Sequence, residues 1–283
     1  MKGLVLGVFI TKANGSRQLF DRGKVVRTCL RMGVNQRIAF DIVNEVERQL
    51  YDGITTAKIF KLVYSLLSDH KPTVRHLLDL RTALSLMISK PEFEKFIQIL
   101  LSFNGYNVSS NRLLIGKCVR HEVDGIVRKD GVTFFVEAKH HYNYHTPTGL
   151  DESRIARAVL EDVTEGYEIG KNNLKIERAM LVTNTRFSEH ARIYGECRNI
   201  LQIGWSSPAK LSLQRMIEEK KVYPLTCIKG LRNETRIRLV NSGVILIKQL
   251  ISSDLSKLSR TSGVSSSTLR KTIEKAKSNA FWV

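Results

Sequence analysis

Three charged residues near the middle of the chain have the types and spacing for phosphoryl chemistry. Asp124 lies in a short apolar run, Val123-Asp124-Gly125-Ile126-Val127. Glu137 and Lys139 close the next one, which opens with Val132-Thr133-Phe134-Phe135-Val136. Both runs read as strands, and Arg128-Lys129-Asp130-Gly131 reads as the turn between them, Asp-Gly being a strong hairpin signal. Period-two alternation puts Glu137 and Lys139 on one face of their strand. Two carboxylates, Asp124 and Glu137, offer the hard oxygens that hold Mg²⁺ or Mn²⁺ with part of its water shell. A lysine beside them can orient or help deprotonate a metal-bound water, while the ion offsets charge on a phosphate. A plain surface hairpin could carry the same letters. The position of these charges, at the ends of strongly apolar strands, favours chemistry.

Other elements must hold these residues in place. Pro91 suits the first turn of a helix, and Phe93, Phe96, Ile97, Leu100 and Leu101 form its apolar face. Glu94 falls one turn into that helix on an otherwise buried-looking side, where a carboxylate is costly unless it faces a metal or a basic partner; taken alone, it also reads as a plain solvated helix acid. Gly105 ends the helix, and Tyr106-Asn107-Val108 leads into a strand. After the motif come His140, His141 and His145. They lack partner ligands at zinc spacing, so a loop near bound phosphate, with His141 towards substrate, is the better reading. A helix is expected from Thr148 to about Gly166, a buried strand over Arg178–Asn184, a helix over Thr185–Tyr194 and a last strand over Ile200–Trp205. Thr183 and Asn184 sit at a strand end, either facing the site or capping a turn.

The charge is unevenly spread. The chain has 283 residues and a formal net charge of +18. Residues 1–90 carry 15 Lys/Arg and 7 Asp/Glu, residues 91–220 carry 18 and 17, and residues 221–283 carry 12 and 3. The basic excess therefore flanks a nearly neutral centre that keeps its acids. Such flanks favour a polyanionic partner, nucleic acid above all. Cys29, Cys118, Cys197 and Cys227 form no CxxC pair and read as isolated reduced thiols. The N-terminus lacks a signal-peptide layout, and no run approaches a membrane span. The expectation is a cytoplasmic protein without a membrane segment.

The first segment, residues 1–89, reads as strand (Leu4–Ile10), turn (Lys12–Gly15), strand (Gln18–Phe20) and helices from Arg22, over Asn35–Tyr51, Thr55–Ser68 and Val74–Ile88. Asp21 and Thr55 or Thr56 are natural N-caps. Lys12 and Gly15 in the turn, Phe20-Asp21 before the helix and Lys24-Val25 within it resemble the ATP-cone domain. That resemblance implies ATP or dATP as a regulatory ligand, with Lys12 and Lys24 on its phosphates. Ala13 and Asn14 depart from the arginine and aspartate of the family pattern. There is no Walker A motif, so the nucleotide would be a ligand and not a fuel.

Residues 90–220 combine a helix bearing Glu94, Gly-Tyr, a strand, Asp124 and Glu137-x-Lys139. This layout resembles the PD-(D/E)xK restriction-endonuclease superfamily, in the branch of Mrr-type enzymes and archaeal Holliday-junction resolvases. The resemblance implies an α/β core with a mixed central sheet, Asp124 and Glu137 as metal ligands, Lys139 as the catalytic lysine and Glu94 as an accessory acid. Two-strand cutting by such enzymes implies a homodimer.

In residues 221–283, Ile228-Lys229-Gly230-Leu231 and Ser262-Gly263-Val264-Ser265 are glycine turns, each followed by a helix, Arg232–Ser242 and Ser266–Asn279. They resemble helix-hairpin-helix DNA-binding domains. Glycine lets backbone approach a phosphate, and the next helix start offers free N–H donors. Lys229, Gly230, Arg232, Arg236, Gly263, Arg270 and Lys271 lie around these turns. The chain thus reads as a multidomain α/β protein with an all-α C-terminus, and as a Mg²⁺- or Mn²⁺-dependent endonuclease acting on DNA. The alternative is a nucleotide-responsive DNA-binding regulator whose central domain is only a scaffold.

Overall fold

A computed structural model describes residues 7–13, 15–72, 78–109 and 113–278. The chain divides into two compact units, residues 1–77 with 228–230 and 271–283, and residues 78–227 with 231–270.

In the first unit, strands β1 (Phe9–Thr11) and β2 (Arg17–Leu19) form an antiparallel hairpin in which Thr11 faces Arg17. Gly15, at φ +78°, lets the turn close with its N–H on the Lys12 carbonyl. Helices α1 (Arg22–Arg31), α2 (Gln36–Arg48) and α3 (Thr56–His70) follow. Each begins where a short polar side chain takes up an orphan N–H: Asp21 accepts from Lys24, Asn35 from Ile38 and Thr55 from Lys58. The apolar stripes meet in one core, with Val25 and Cys29 from α1, Ile42 and Val46 from α2, and Ile59, Val63 and Leu67 from α3. The strand expected from Leu4 lies partly outside the described residues.

The fourth expected helix is shorter than its pattern suggested. Within the described residues it is α4 (Leu80–Ser85), set by Asp79, whose carboxylate accepts from Arg81 and Thr82, and it belongs to the second unit. The expected start at Val74 lies outside the described residues.

A π-helical turn, Ser89–Phe93, runs into α5 (Glu94–Phe103), so Pro91 stands just ahead of the regular helix. The strands that follow are β3 (Asn107–Ser109), β4 (Leu113–Ile115), β5 (Arg120–Glu122), β6 (Gly125–Lys129), β7 (Val132–Lys139), β8 (Arg178–Thr183) and β9 (Leu201–Ile203). Between them lie α6 (Leu150–Glu168) and α7 (Glu189–Cys197). One mixed sheet has the order β3-β6-β7-β8-β9, antiparallel from β3 to β7 and parallel from β7 to β9. The parallel pairs are joined through α6 and α7, as parallel strands require. Ile126, Phe135, Ala179 and Leu181 of the sheet pack with Ala156, Leu160 and Val163 of α6.

The central hairpin turns more tightly than the four-residue turn expected. Lys129 pairs with Val132, and only Asp130 (φ +50°) and Gly131 (φ +82°) make the turn. Aspartate and glycine both accept the left-handed backbone that a two-residue turn needs. The β4–β5 hairpin was not legible in advance. It rests on α6, where Asp162 accepts from the N–H groups of Cys118 and Val119 and bonds His121 Nε2 at 2.7 Å. Gly166 approaches Gly116 so closely that a Cβ there would lie 2.7 Å from its carbonyl carbon.

The C-terminal region contains α8 (Leu213–Lys220), a 3₁₀ turn Leu225–Cys227, α9 (Asn233–Asn241), α10 (Ile247–Ser252), α11 (Leu255–Ser262) and α12 (Ser266–Lys277). The first glycine turn therefore follows a three-residue 3₁₀ turn, with no α-helix ending immediately before it. Phe281, Trp282 and Val283 lie outside the described residues. No helix among the described residues is long and apolar enough to cross a membrane, and all four cysteines are unpaired thiols.

Candidate active site

The sheet register assembles the centre. Asp124 directly precedes β6; its N–H donates to Val136 O at 3.0 Å, and its Oδ2 accepts from Ala138 N at 2.7 Å. It is thereby clamped beside Glu137, the residue between those two contacts. Gln98, one turn after Glu94 on α5, donates to the Asp124 carbonyl. Parallel pairing with β8 carries β7 on through Glu137 and Lys139, which face Leu181 and Thr183. Both site residues of that strand are thus on regular backbone, beyond the end expected for the apolar run.

Burial makes this cluster expensive. Asp124 is 5% exposed and Glu94 4%. Burial, followed by the nearby charge of Glu137, pushes the Asp124 carboxyl up to about 7, although the Ala138 N–H favours its ionised form. Cations answer the other acids. Lys90 Nζ, on an exposed side chain, lies 3.1 Å from Glu94 and 3.9 Å from Asp124. Lys139 Nζ lies 3.0 Å from Glu137 and 2.9 Å from Glu152, in the first turn of α6. Burial pulls the Lys139 ammonium down, but hydrogen bonds to Glu152 and Glu137 outweigh it and hold its pKa above the ordinary value. At neutral pH Lys139 is a cation held between two carboxylates. It fits an orienting and electrostatic role and not that of a resting base.

The donor set suits a hard divalent cation. Among the described residues no group of three His, Cys, Asp or Glu side chains is arranged to hold a metal. Mg²⁺ commonly takes one or two carboxylates and leaves its other positions to water and substrate phosphate. Asp124 and Glu137 supply such a pair, and a divalent ion between them would relieve the crowding that raises Asp124.

The histidines do not act together. His140 is half buried; its Nε2 donates to Leu84 O at 2.9 Å and its Nδ1 accepts from Ser89 Oγ at 3.0 Å. Burial lowers its pKa, so it is a neutral ring pinning the β7 end to the segment before α5. His141 exchanges two backbone hydrogen bonds with the Asn184 side chain, and its Nε2 lies 3.1 Å from Thr148 Oγ1. Thr148, Thr183 and Thr185 form a buried hydroxyl cluster behind it. Thr183 and Asn184 therefore brace the loop after Lys139, and His145 stands apart against the Tyr144 ring.

Sequence reasoning missed Glu152, Gln98 and Lys90. The Glu94-x3-Gln98 spacing was a usable signal, because residues four apart share a helix face. Glu152 had none, since only the packing of α6 on the sheet brings it to Lys139.

In the first unit a cavity of about 220 Å³ opens among β1–β2, α1 and α3. Its lining includes the apolar Ile10, Phe20, Val25 and Ile59 together with Asp21 and Lys24. Lys24 thus lines a cavity. Lys12, on the exposed β1–β2 turn, is not among the lining residues.

The residues expected on DNA are divided. Lys229, Gly230, Arg232, Gly263, Arg270 and Lys271 are all exposed. Arg236 is not: it is buried, 3.2 Å from Glu92 and donating to Leu86 O at 2.6 Å. Its spacing from the glycine turn suggested a phosphate contact, but its place on α9 faces the body of the unit, and it is withdrawn as one.

Fold and site define a protein with a restriction-endonuclease-like core and an ATP-cone domain. Residues 86–203 match the restriction endonuclease family, and residues 8–83 match the ATP cone domain. Residues 223–278 match a third family, AF1548-like, C-terminal, where the glycine turns suggested helix-hairpin-helix. An uncharacterized protein of Archaeoglobus fulgidus is 32% identical over 179 residues, which are 63% of this chain and 96% of that relative. A crystal structure described as AF1548, a protein of unknown function, is similar with a TM-score of 0.57 and 31% identity. The match covers 65% of this chain and 94% of the other. The chain belongs to the AF1548-like family.

Proposed function

We propose that the protein is a divalent-metal-dependent DNA endonuclease, modulated by ATP or dATP at its cone. One observation carries the reading. Two buried acids, Asp124 and Glu94, converge with Glu137 at the end of β7, where Lys139 is held between Glu137 and Glu152. Nothing in a merely structural sheet calls for four acids and a lysine at that place.

Asp124 and Glu137 would hold Mg²⁺ or Mn²⁺, which when bound supplies an activated water and charge stabilisation on phosphorus. Glu94 and Gln98 fix the Asp124 segment, Gln98 through its carbonyl. Lys139 stays protonated and directs its N–H donors at the attacking water or the scissile phosphate. Glu152 sets the direction of that ammonium. His141, braced by Asn184, extends the same edge towards the substrate. In the cone, the apolar lining suits a nucleobase and Lys24 a phosphate, as a point charge. Cutting both strands calls for two sites, hence a homodimer.

The test is cleavage of linear duplex, supercoiled plasmid, single strand, flap and four-way junction, with Mg²⁺ or Mn²⁺, with and without ATP, beside Glu137→Ala. Cleavage lost in the variant is the expected result. DNA binding without cleavage of any substrate would sink the nuclease and leave the nucleotide-responsive regulator.

A further inference from the structure

The end of the second unit carries a feature that cleavage does not use. Helix α11 has eight residues, then come three turn residues, Gly263-Val264-Ser265, and then the start of α12, of which Ser266–Arg270 belong to this unit. Gly263 takes φ +68°, and its N–H donates to Ser259 O at 3.0 Å. A side chain at this backbone would be strained, and its Cβ would lie 3.5 Å from the Arg238 guanidinium. Ser259 Oγ donates to Val264 O, and Arg238 of α9 donates to Gly263 O at 2.9 Å. Ser265 caps α12, accepting from Thr268 N. Leu258, Val264 and Leu269, one from each part, are buried. The turn is thus fixed from both sides and by a third helix.

A three-residue glycine turn between two helices is the connection found in a helix-turn-helix, whose second helix enters the DNA major groove. The outward side of α12 has the composition for that role. Ser266, Ser267, Arg270 and Lys271 are exposed near its start. Arg270 and Lys271 take part in no ion pair among the described residues, whereas Arg236 and Arg238 of α9 are bound to Glu92 and Glu234. Residues 221–283 carry 12 Lys/Arg against 3 Asp/Glu, which complements a duplex. Serine and arginine at the start of such a helix are groups that reach base edges, arginine reading guanine through its two-pronged fork.

We propose that α11 and the start of α12 form a helix-turn-helix reader, with the first turn of α12 in the major groove of double-stranded DNA and Arg270 on a guanine edge. Arg260, exposed on α11, contacts a phosphate. This differs from backbone-only anchoring by glycine turns, because it makes binding sequence-selective. It extends the reading of DNA as the substrate. Its test is run without divalent metal, so it stands or falls separately from cleavage.

The full-length protein is used, in EDTA, to select duplexes from a randomised library, and binding of the winners is followed by fluorescence anisotropy. A motif containing a guanine should be enriched. Arg270→Ala should lower affinity for the motif by about tenfold or more while barely changing affinity for scrambled duplex. Arg270→Lys keeps the charge but loses the fork, so it should lose the guanine preference and keep the salt dependence. Arg260→Ala should weaken all sequences alike and reduce the salt slope by about one. Thermal unfolding checks that each variant is folded. No enriched motif, or an Arg270→Ala effect equal on all sequences, overturns the proposal.

Discussion

Arg236 offers a sharp test of how the second unit is held together. Its guanidinium and the Glu92 carboxylate are 7% and 2% exposed and 3.2 Å apart, and the same guanidinium satisfies Leu86 O. Glu92 also accepts from Ile88 N at 2.8 Å, so the pair joins α9 to the segment that leads into Glu94. Removing one partner of a buried pair typically costs about 3–5 kcal/mol, because the other charge is left without compensation. Arg236→Met should therefore lower the melting temperature of this unit by about 6–20 °C, at roughly 2–4 °C per kcal/mol. The loss should depend on pH. Burial already raises the Glu92 pKa, and Arg236 opposes that; without the guanidinium the folded pKa rises further above the unfolded value of about 4.3. An acid whose folded pKa is raised binds more protons folded than unfolded, so stability falls as pH rises through the interval. The deficit of Arg236→Met should be largest above the raised folded pKa and shrink as pH falls to below the unfolded value, where Glu92 is protonated in both states. Glu92→Gln added to Arg236→Met should recover at least half of it, since glutamine keeps an acceptor for Ile88 N and removes the stranded charge. Differential scanning calorimetry across pH measures all three chains. A single-variant loss below about 1 kcal/mol, or a loss indifferent to pH, would refute the idea that this buried pair secures the unit.

Three further outcomes follow from the site and the cone. Lys139→Ala should abolish cleavage while duplex affinity in EDTA changes little; equal loss of both would remove Lys139 from the chemistry. Glu152→Gln should lower kcat by about 10–100-fold with KM nearly unchanged, because Glu152 acts by aiming Lys139; single-turnover kinetics would expose a pure binding defect. Lys24→Ala should weaken ATP binding to the full chain by about tenfold, the scale of one charge-assisted contact, with calorimetric titration as the measure, and an unchanged affinity would clear Lys24 of the phosphate role.

Much of the architecture is local and could be read without coordinates. Period-3.6 stripes and N-caps at Asp21 and Thr55 specify helices, because the orphan N–H groups they satisfy lie within three residues. The Asp130-Gly131 dipeptide specifies a hairpin, and alternation puts Glu137 with Lys139. Those rules need only neighbours in the chain, which is why Asp124, Glu137 and Lys139 could be named together, whereas Glu94 joined them only through the resemblance to restriction endonucleases. Other features depended on packing between distant segments. Glu152 reaches Lys139 because α6 lies on the sheet, and the β4–β5 hairpin is held by Asp162 more than forty residues away. Arg236 is the clearest case. Its letter and spacing are those of a surface cation, and only the burial of one side of α9, with Glu92 waiting there, turns it from a nucleic-acid contact into a structural ion pair. Sequence carries the short-range rules of helix, turn and strand. Which charges end up in water and which beside one another is decided when the elements close on a common core, since the cost of burying a charge is set by what else is buried with it.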